Sequence, residues 1–276
     1  MNVKIAIIGC GYIGMKAAAH WSEMGHHVTA TTRHPERLPD LAKVAQKTLI
    51  LKGDDEEGLA SLIAANDVLV ITIAADSIDQ YENAYLHTSQ QIRALALEMN
   101  EPRRLIYTSS TSVYGDHHGL WVDETASLTA PSEQGKILIQ SEKTYLSLSE
   151  CHWHVCILRL AEIYGPDREI SRRAKHMEGH KLPGSGDQYT NMVHKEDVAA
   201  ALDYALRYRL EGIYNVVDDE HPTRKELYDR IAHQRHWPLL EWDPTLTSMH
   251  GGNKRVSNHK IKSEGFVFSF PHRILD

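Results

Sequence analysis

The chain has 276 residues, with 30 Lys and Arg against 37 Asp and Glu and a net charge of −7. That length buries a sizeable core, as one large domain or a domain with a smaller partner, and the mildly acidic balance, with no long block of either sign, argues against a nucleic-acid partner. Three cysteines do not make a disulfide framework and suit a reducing compartment, so a cytoplasmic location is expected. The amino terminus has one lysine and only four unbroken apolar residues, Ile5 to Ile8, unlike a signal peptide. No apolar run approaches the ~18 residues of a membrane span, so no membrane partner is expected.

Short aliphatic or β-branched runs recur in chain order: "VKIAII", "HVTATT", "TLIL", "DVLVITI", "RRLIYTS", "HVCILRL" and "GIYNVV". Helical stretches separate them, the signature of parallel βαβ units, and the expected fold is α/β, a doubly wound parallel sheet of the Rossmann kind. Between the first two runs Ile13, Ala17, Trp21 and Met24 mark one helical face, with Gly25 as its stop. Between the fourth and fifth, Tyr81, Tyr85, Ile92, Leu95 and Met99 do the same, with Pro102 just beyond. From about residue 165 the texture turns polar and glycine-bearing and is interrupted by Pro166 and Pro183, which suits loops and short helices. Residues 1–164 are therefore expected to form a dinucleotide-binding domain completed by 192–218, and 165–276 a smaller substrate-binding lobe.

"IAIIGCGYIGMKAA" places Gly9, Gly11 and Gly14 in GxGxxG spacing between a strand and a helix. The first glycine permits the tight turn, the second lets backbone approach a pyrophosphate, and the third allows close helix packing, so the anion sits at a helix N-terminus. Tyr12 and Ile13, at the start of that helix, join the cofactor-binding positions. The second strand ends in Thr31, Thr32 and Arg33, where a carboxylate would otherwise take the ribose hydroxyls. A guanidinium beside hydroxyls matches a 2′-phosphate, which favours NADP over NAD as the cofactor; the alternative is that Arg33 is a solvated surface residue.

The GxGxxG loop, "YTSSTSVYG" after the fifth strand, "DET", "NMVHKEDVAAAL" and "VSNHKIKSEGFVFSFP" follow one another along nearly the whole chain. In this order they resemble the extended short-chain dehydrogenase/reductase family, the NAD(P)-dependent epimerases and dehydratases. The resemblance implies a nicotinamide beside a Ser/Thr, Tyr and Lys set, in which Tyr exchanges a proton with the substrate, Lys lowers its pKa and Ser/Thr orients the substrate. Ser110, four before Tyr114, matches the family's catalytic hydroxyl, with Thr111 beside it. Asp54, Ala74 and Ala75 are the implied adenine and ribose neighbours.

The Tyr-xxx-Lys pair is missing. In "PSEQGKILIQSE", Gly135 and Glu142 fit the family frame and leave Gln134 for the Tyr and Leu138 for the Lys. Lys136 and Lys143 are nearby but off register, and the Tyr12–Lys16 spacing lies in the phosphate loop, where it reads as coincidence. Tyr114 is a candidate for a relocated phenol, against a packing or substrate-contact role. Gln134 hydrogen-bonds but offers no proton near neutral pH.

Sugar-nucleotide members of the resembling family carry an Arg four residues before the His of "VH"; here that position is Thr190. Arg168, Arg172, Arg173, Lys175 and Lys181 are candidates for binding an anionic substrate, against the reading of a solvated basic face. In "CHWHVC" a strand would put His152, His154 and Cys156 on one face, but a fourth ligand is not evident and no metal is expected. His194 is read as ordering a strand-to-helix junction. Two functions stay open: an NADP-dependent epimerase/dehydratase- or reductase-type enzyme transferring hydride to or from a small hydroxyl or carbonyl substrate, and a non-catalytic NADP-binding redox sensor or scaffold. Homodimers are common in the resembling family, which leaves a homodimer open here.

Overall fold

The structure is a computed structural model that describes residues 2–75, 77, 80–99, 101–246 and 252–275. In chain order the elements begin with β1 (Lys4–Ile8), α1 (Tyr12–Glu23), β2 (His27–Thr32), α2 (Leu38–Leu41), β3 (Lys47–Ile50), α3 (Glu56–Ala65), β4 (Val68–Ile71), α4 (Thr88–Glu98) and β5 (Arg104–Ser110). They continue with β6 (Trp121–Val122), α5 (Glu133–Leu146), β7 (His154–Leu160), β8 (Glu162–Tyr164), α6 (Ile170–Met177), β9 (Lys181–Pro183), β10 (Met192–His194), α7 (Lys195–Arg207) and β11 (Gly212–Val216). The last are α8 (Arg224–Arg235), β12 (Glu241–Asp243), β13 (Arg255–Val256) and α9 (His259–Ser263).

The seven apolar runs form a seven-stranded sheet in the order β11-β7-β5-β4-β1-β2-β3. The chain runs outward from β1 to β3, then returns to β4 beside β1 and runs outward the other way. β1–β2, β2–β3, β1–β4 and β4–β5 all pair in parallel. The order reverses between β1 and β4, and in open α/β sheets the crevice outside such a switch point is where ligands bind. β4 is buried at every residue and β1 at all but Lys4, which explains their unbroken apolar text, whereas the edge strand β3 is half-exposed.

Contacts divide the chain into two compact units, Met1–Ser110 with Glu133–Arg159 and Ala199–Tyr214, and Thr111–Ser132 with Leu160–Val198 and Asn215–Asp276. In the first, Ile8, Ile63, Leu69, Ile92, Leu105, Tyr107 and Ile157 build the core. Ile13, Ala17 and Trp21 of α1 are buried, and the Trp21 indole donates to Asp203 at 3.0 Å. Met24, expected on the same face, is 52% exposed because α1 ends at Glu23 and the chain turns through Gly25 at φ +85°. The shared strand face expected for His152, His154 and Cys156 is lost: β7 begins at His154, and His152 stands before it in the left-handed conformation.

The second unit contains the short parallel pairs β6–β13, β8–β10 and β9–β12. Tyr164, Ile170, Leu182, Leu227 and Ile231 form its apolar cluster. A capping box starts α8, in which the Thr223 hydroxyl accepts the Glu226 N–H and the Glu226 carboxylate accepts the Thr223 N–H. The Arg273 side chain is fully buried, its Nε 2.8 Å from Asp218 and other donors on the Thr190 and Glu220 carbonyls.

Candidate active site

Gly9 follows β1 at φ +77°, and a Cβ there would lie 2.8 Å from the Ile73 Cα, so the turn is closed to any other residue. A Cβ on Gly14 would stand 2.7 Å from the Thr72 hydroxyl, which is the close approach of α1 to the sheet. Gly11 is different: a Cβ there would meet only the Gly9 carbonyl at 3.8 Å and an Arg37 Nη at 3.9 Å. Two hydroxyls hold the loop, Thr31 of β2 accepting the Gly9 N–H at 3.3 Å and Thr72, directly after β4, donating to the Gly9 carbonyl at 3.0 Å. Neither was singled out for that role from sequence, because both are distant from the loop along the chain.

α1 starts at Tyr12 with Gly11 as its cap, with no side-chain cap and no acidic residue in the first turn. Its positive end therefore faces the loop without a competing carboxylate, the electrostatic condition for an anion. Ile13 is buried in the core and Tyr12 half-exposed. Burial pushes the Cys10 thiol up to about 12, with Arg37 opposing, so this cysteine of the loop is inert.

At the end of β2, Thr32 is buried and its hydroxyl accepts the His34 N–H at 3.1 Å. Arg33 bridges toward the end of β4, with one Nη 3.5 Å from the Ala74 carbonyl. Ala74 is exposed and Ala75 half-buried, and the Tyr85 hydroxyl hydrogen-bonds the Ala75 backbone. Tyr85, assigned from sequence to a helix face, thus also braces the β4 loop. Asp54 is exposed in the turn before α3, whose cap is its neighbour Asp55. Arg37 was missed from sequence: it stands beside the glycine loop, and its side-chain hydrogen bond among the described residues goes to the Met15 sulfur, a weak acceptor.

β5 carries Ser109 and Ser110 to the carboxyl edge on opposite faces. Ser109 is buried and donates to Glu142 at 2.6 Å. Glu142, 2% exposed on α5, also takes both Nε and an Nη of Arg159, the Nη at 2.7 Å. Ser110 is half-buried. On α5 Gln134 is half-buried in the first turn, Leu138 is 2% exposed and Glu142 is consumed by the ion pair, so this face presents no titratable group at the Tyr or Lys positions of the family frame. Lys136 pairs with Glu133, and Lys143 is exposed.

In the second unit, Thr111 and Tyr114 lie in one turn of 3-10 helix and are both buried. The Tyr114 hydroxyl donates to Asn215 at 2.8 Å, a fixed structural bond. Thr190 donates to the Pro222 carbonyl at 2.8 Å and contacts Arg273. Arg173 pairs with Glu162, and Lys175 pairs with Glu178 and lies over Trp237, so part of the basic segment is locally neutralised. His194 accepts the Glu196 N–H at the start of α7 and packs against Phe270.

The chain is 32% identical over 279 residues to Protein YeeZ of Escherichia coli strain K12, covering 99% of this chain and 98% of that protein. A structure of a conserved protein of unknown function from Silicibacter pomeroyi DSS superposes with TM-score 0.78 at 26% identity, covering 98% of this chain and 95% of the other. The NAD-bound dTDP-glucose 4,6-dehydratase of Bacillus anthracis str. Ames shares the fold, with TM-score 0.80 at 18% identity over 98% of this chain and 92% of that one. No helix among the described residues is long and apolar enough to cross a membrane. Residues 5–216 match the NAD dependent epimerase/dehydratase family, and the chain belongs to that family.

Proposed function

We propose that the protein binds NADP and uses it for hydride transfer with a small hydroxyl or carbonyl substrate, as a reductase or an epimerase. The observation that carries the choice of cofactor is Arg33, directly after a strand end where Thr31 and Thr32 replace a ribose-binding carboxylate, together with Arg37, whose guanidinium stands beside Gly11 of the glycine loop. The backbone of Gly9 to Gly14 and the first turn of α1 would hold the pyrophosphate, and the two guanidiniums the 2′-phosphate. Bound there, the nicotinamide supplies a reversible hydride donor and acceptor.

Ser110 orients the substrate oxygen by hydrogen bonding, while Ser109 is committed to Glu142. Gln134 donates an N–H and moves no proton. General acid–base assistance is worth ~10²–10⁴-fold, so a chain without Tyr and Lys at these positions is suited to an already polarised substrate and a slow turnover. The buried Leu138 also supports a second reading, an NADP-binding redox sensor or scaffold that performs no chemistry.

Fluorescence titration with NADPH and NADH on wild type, Arg33→Ala and Arg37→Ala tests the cofactor. NADPH is expected to bind more tightly, and each substitution to weaken NADPH about tenfold to hundredfold, the value of a charged hydrogen bond, while leaving NADH unchanged. Equal NADH and NADPH binding by all three proteins would remove the NADP assignment. Oxidation of NADPH by a panel of small carbonyls, lost in Ser110→Ala, separates the enzyme from the sensor.

A further inference from the structure

Lys254 is 7% exposed, yet its ammonium has one acceptor among the described residues, the Gly115 carbonyl at 3.0 Å. An ammonium carries three N–H donors, so two are left without a protein acceptor there. No carboxylate among the described residues comes within ion-pair distance of it. Burying a charge in this state is costly, and a leucine or methionine would fill the same volume without the penalty. Burial accordingly lowers the lysine pKa, with Asp116 opposing from a distance.

The backbone around this group is held from several directions. The Asn253 N–H donates to Asp116 at 2.6 Å, and its carbonyl accepts the N–H groups of His117 and Gly119 at 3.0 and 2.9 Å. The Asn191 side chain donates to the Lys254 carbonyl at 3.0 Å and accepts the Val256 N–H at 2.7 Å. A Cβ on Gly252 would stand 2.2 Å from the Gly115 carbonyl oxygen, so the two backbones touch. A backbone fixed by so many neighbours holds the root of the Lys254 side chain in place, and the Gly115 carbonyl holds its tip, which is how a binding group is preorganised. A fold that fixes a buried cation this firmly and leaves its donors unfilled is arranged to receive an acceptor.

We propose that Lys254 is the binding residue for an oxyanion, a carboxylate or phosphate group, of the protein's small-molecule ligand. The neighbouring Arg255 fits the same chemistry: its guanidinium is stacked 5.1 Å from the Trp121 ring and 4.8 Å from the Tyr189 ring, and it spends Nε on the Gly119 carbonyl. A guanidinium held this way keeps its outer donors presented as a planar fork. That the ligand is the substrate rests on the hydride-transfer reading; the binding itself does not.

The test uses the full chain labelled with ¹³Cε-lysine, with the Lys254 resonance assigned by its absence in Lys254→Met. Inorganic phosphate, acetate, malonate and UDP are titrated separately against sodium chloride at equal ionic strength. Lys254 is expected to shift saturably with at least one oxyanion and not with chloride, and the responding arm separates a carboxylate from a free phosphate or a nucleoside diphosphate. Calorimetry with that anion should show about tenfold to hundredfold weaker binding in Lys254→Met. Lys254→Gln serves in its place should the methionine variant not fold. A resonance unmoved by all four anions, a shift that chloride reproduces, or unchanged affinity in the variant would overturn the proposal. NADPH titration of the same samples is the separate control: wild type that binds the anion but no dinucleotide would sink the hydride-transfer reading and leave this one standing.

Discussion

The loop from Gly9 to Gly14 and the helix α5 lie in the same compact unit, but they have been built on opposite principles. The loop offers backbone: a positive φ at Gly9, an open side at Gly11, an uncapped helix end and two hydroxyls that fix the carbonyl and amide of the turn. α5 offers side chains, and on it Leu138 is packed, Glu142 is paired and Gln134 carries no titratable group. Cofactor recognition needs geometry that glycine and backbone N–H groups supply, whereas acid–base chemistry needs a titratable group at one position. The first rests chiefly on the backbone of the loop; the second is removed by two substitutions. Binding and catalysis are therefore separable in this fold, which is why a sensor and an enzyme are the two readings of one site.

The largest effect that would break this contrast is at Gly9. The left-handed conformation alone costs a β-branched residue ~1–2 kcal/mol, and the backbone at Ile73 blocks its Cβ. Gly9→Val should therefore weaken NADPH by about a hundredfold or more, read by fluorescence, with circular dichroism reporting whether the sheet remains. Retained tight binding would show that the loop is not the site. Next comes Glu142→Gln, which leaves Arg159 buried without its anion and should cost ~3–5 kcal/mol in urea unfolding. The paired Glu142→Leu/Arg159→Met protein should recover most of that. Dinucleotide affinity is expected to stay within about twofold in both, since uncharged packing on α5 does not touch the loop; a large loss of binding would erase the distinction. The smallest effect is at Tyr145, buried on α5 with its ring 4.7 Å from that of Tyr107 and its hydroxyl lacking a partner among the described residues. Tyr145→Phe should change stability by less than ~1 kcal/mol, or raise it, because no hydrogen bond is lost. A clear destabilisation would reveal a water bridging the two phenols, and with it a polar path behind α5.

Much of this was readable along the chain. The seven strands follow from runs of β-branched and aliphatic residues, and their burial on both faces at β1 and β4 explains why those runs do not alternate. The glycine loop was readable because its requirements are local, a turn and a close approach within six residues. Gln134 and Leu138 were equally visible, since a missing functional group is a property of residue type. The end of α1 was placed one residue late at Met24, a boundary set by how the turn into β2 exits rather than by periodicity. The metal-like face of "CHWHVC" disappeared because strand β7 starts two residues beyond His152.

What residue types and short-range spacing determined by themselves was the α/β class, the succession of strands and helices along the chain and the position of a glycine-rich turn between the first strand and helix, because propensity, periodicity and the φ restriction act within a few residues. Only the tertiary structure decided which polar groups meet: Arg37 beside Gly11, Ser109 with Glu142 and Arg159, Arg273 with Asp218, and Lys254 on the Gly115 carbonyl. Those partners stand as much as 139 positions apart. Whether a buried charge is paired, poised or left waiting for a ligand depends on the register of distant segments, which no local pattern encodes.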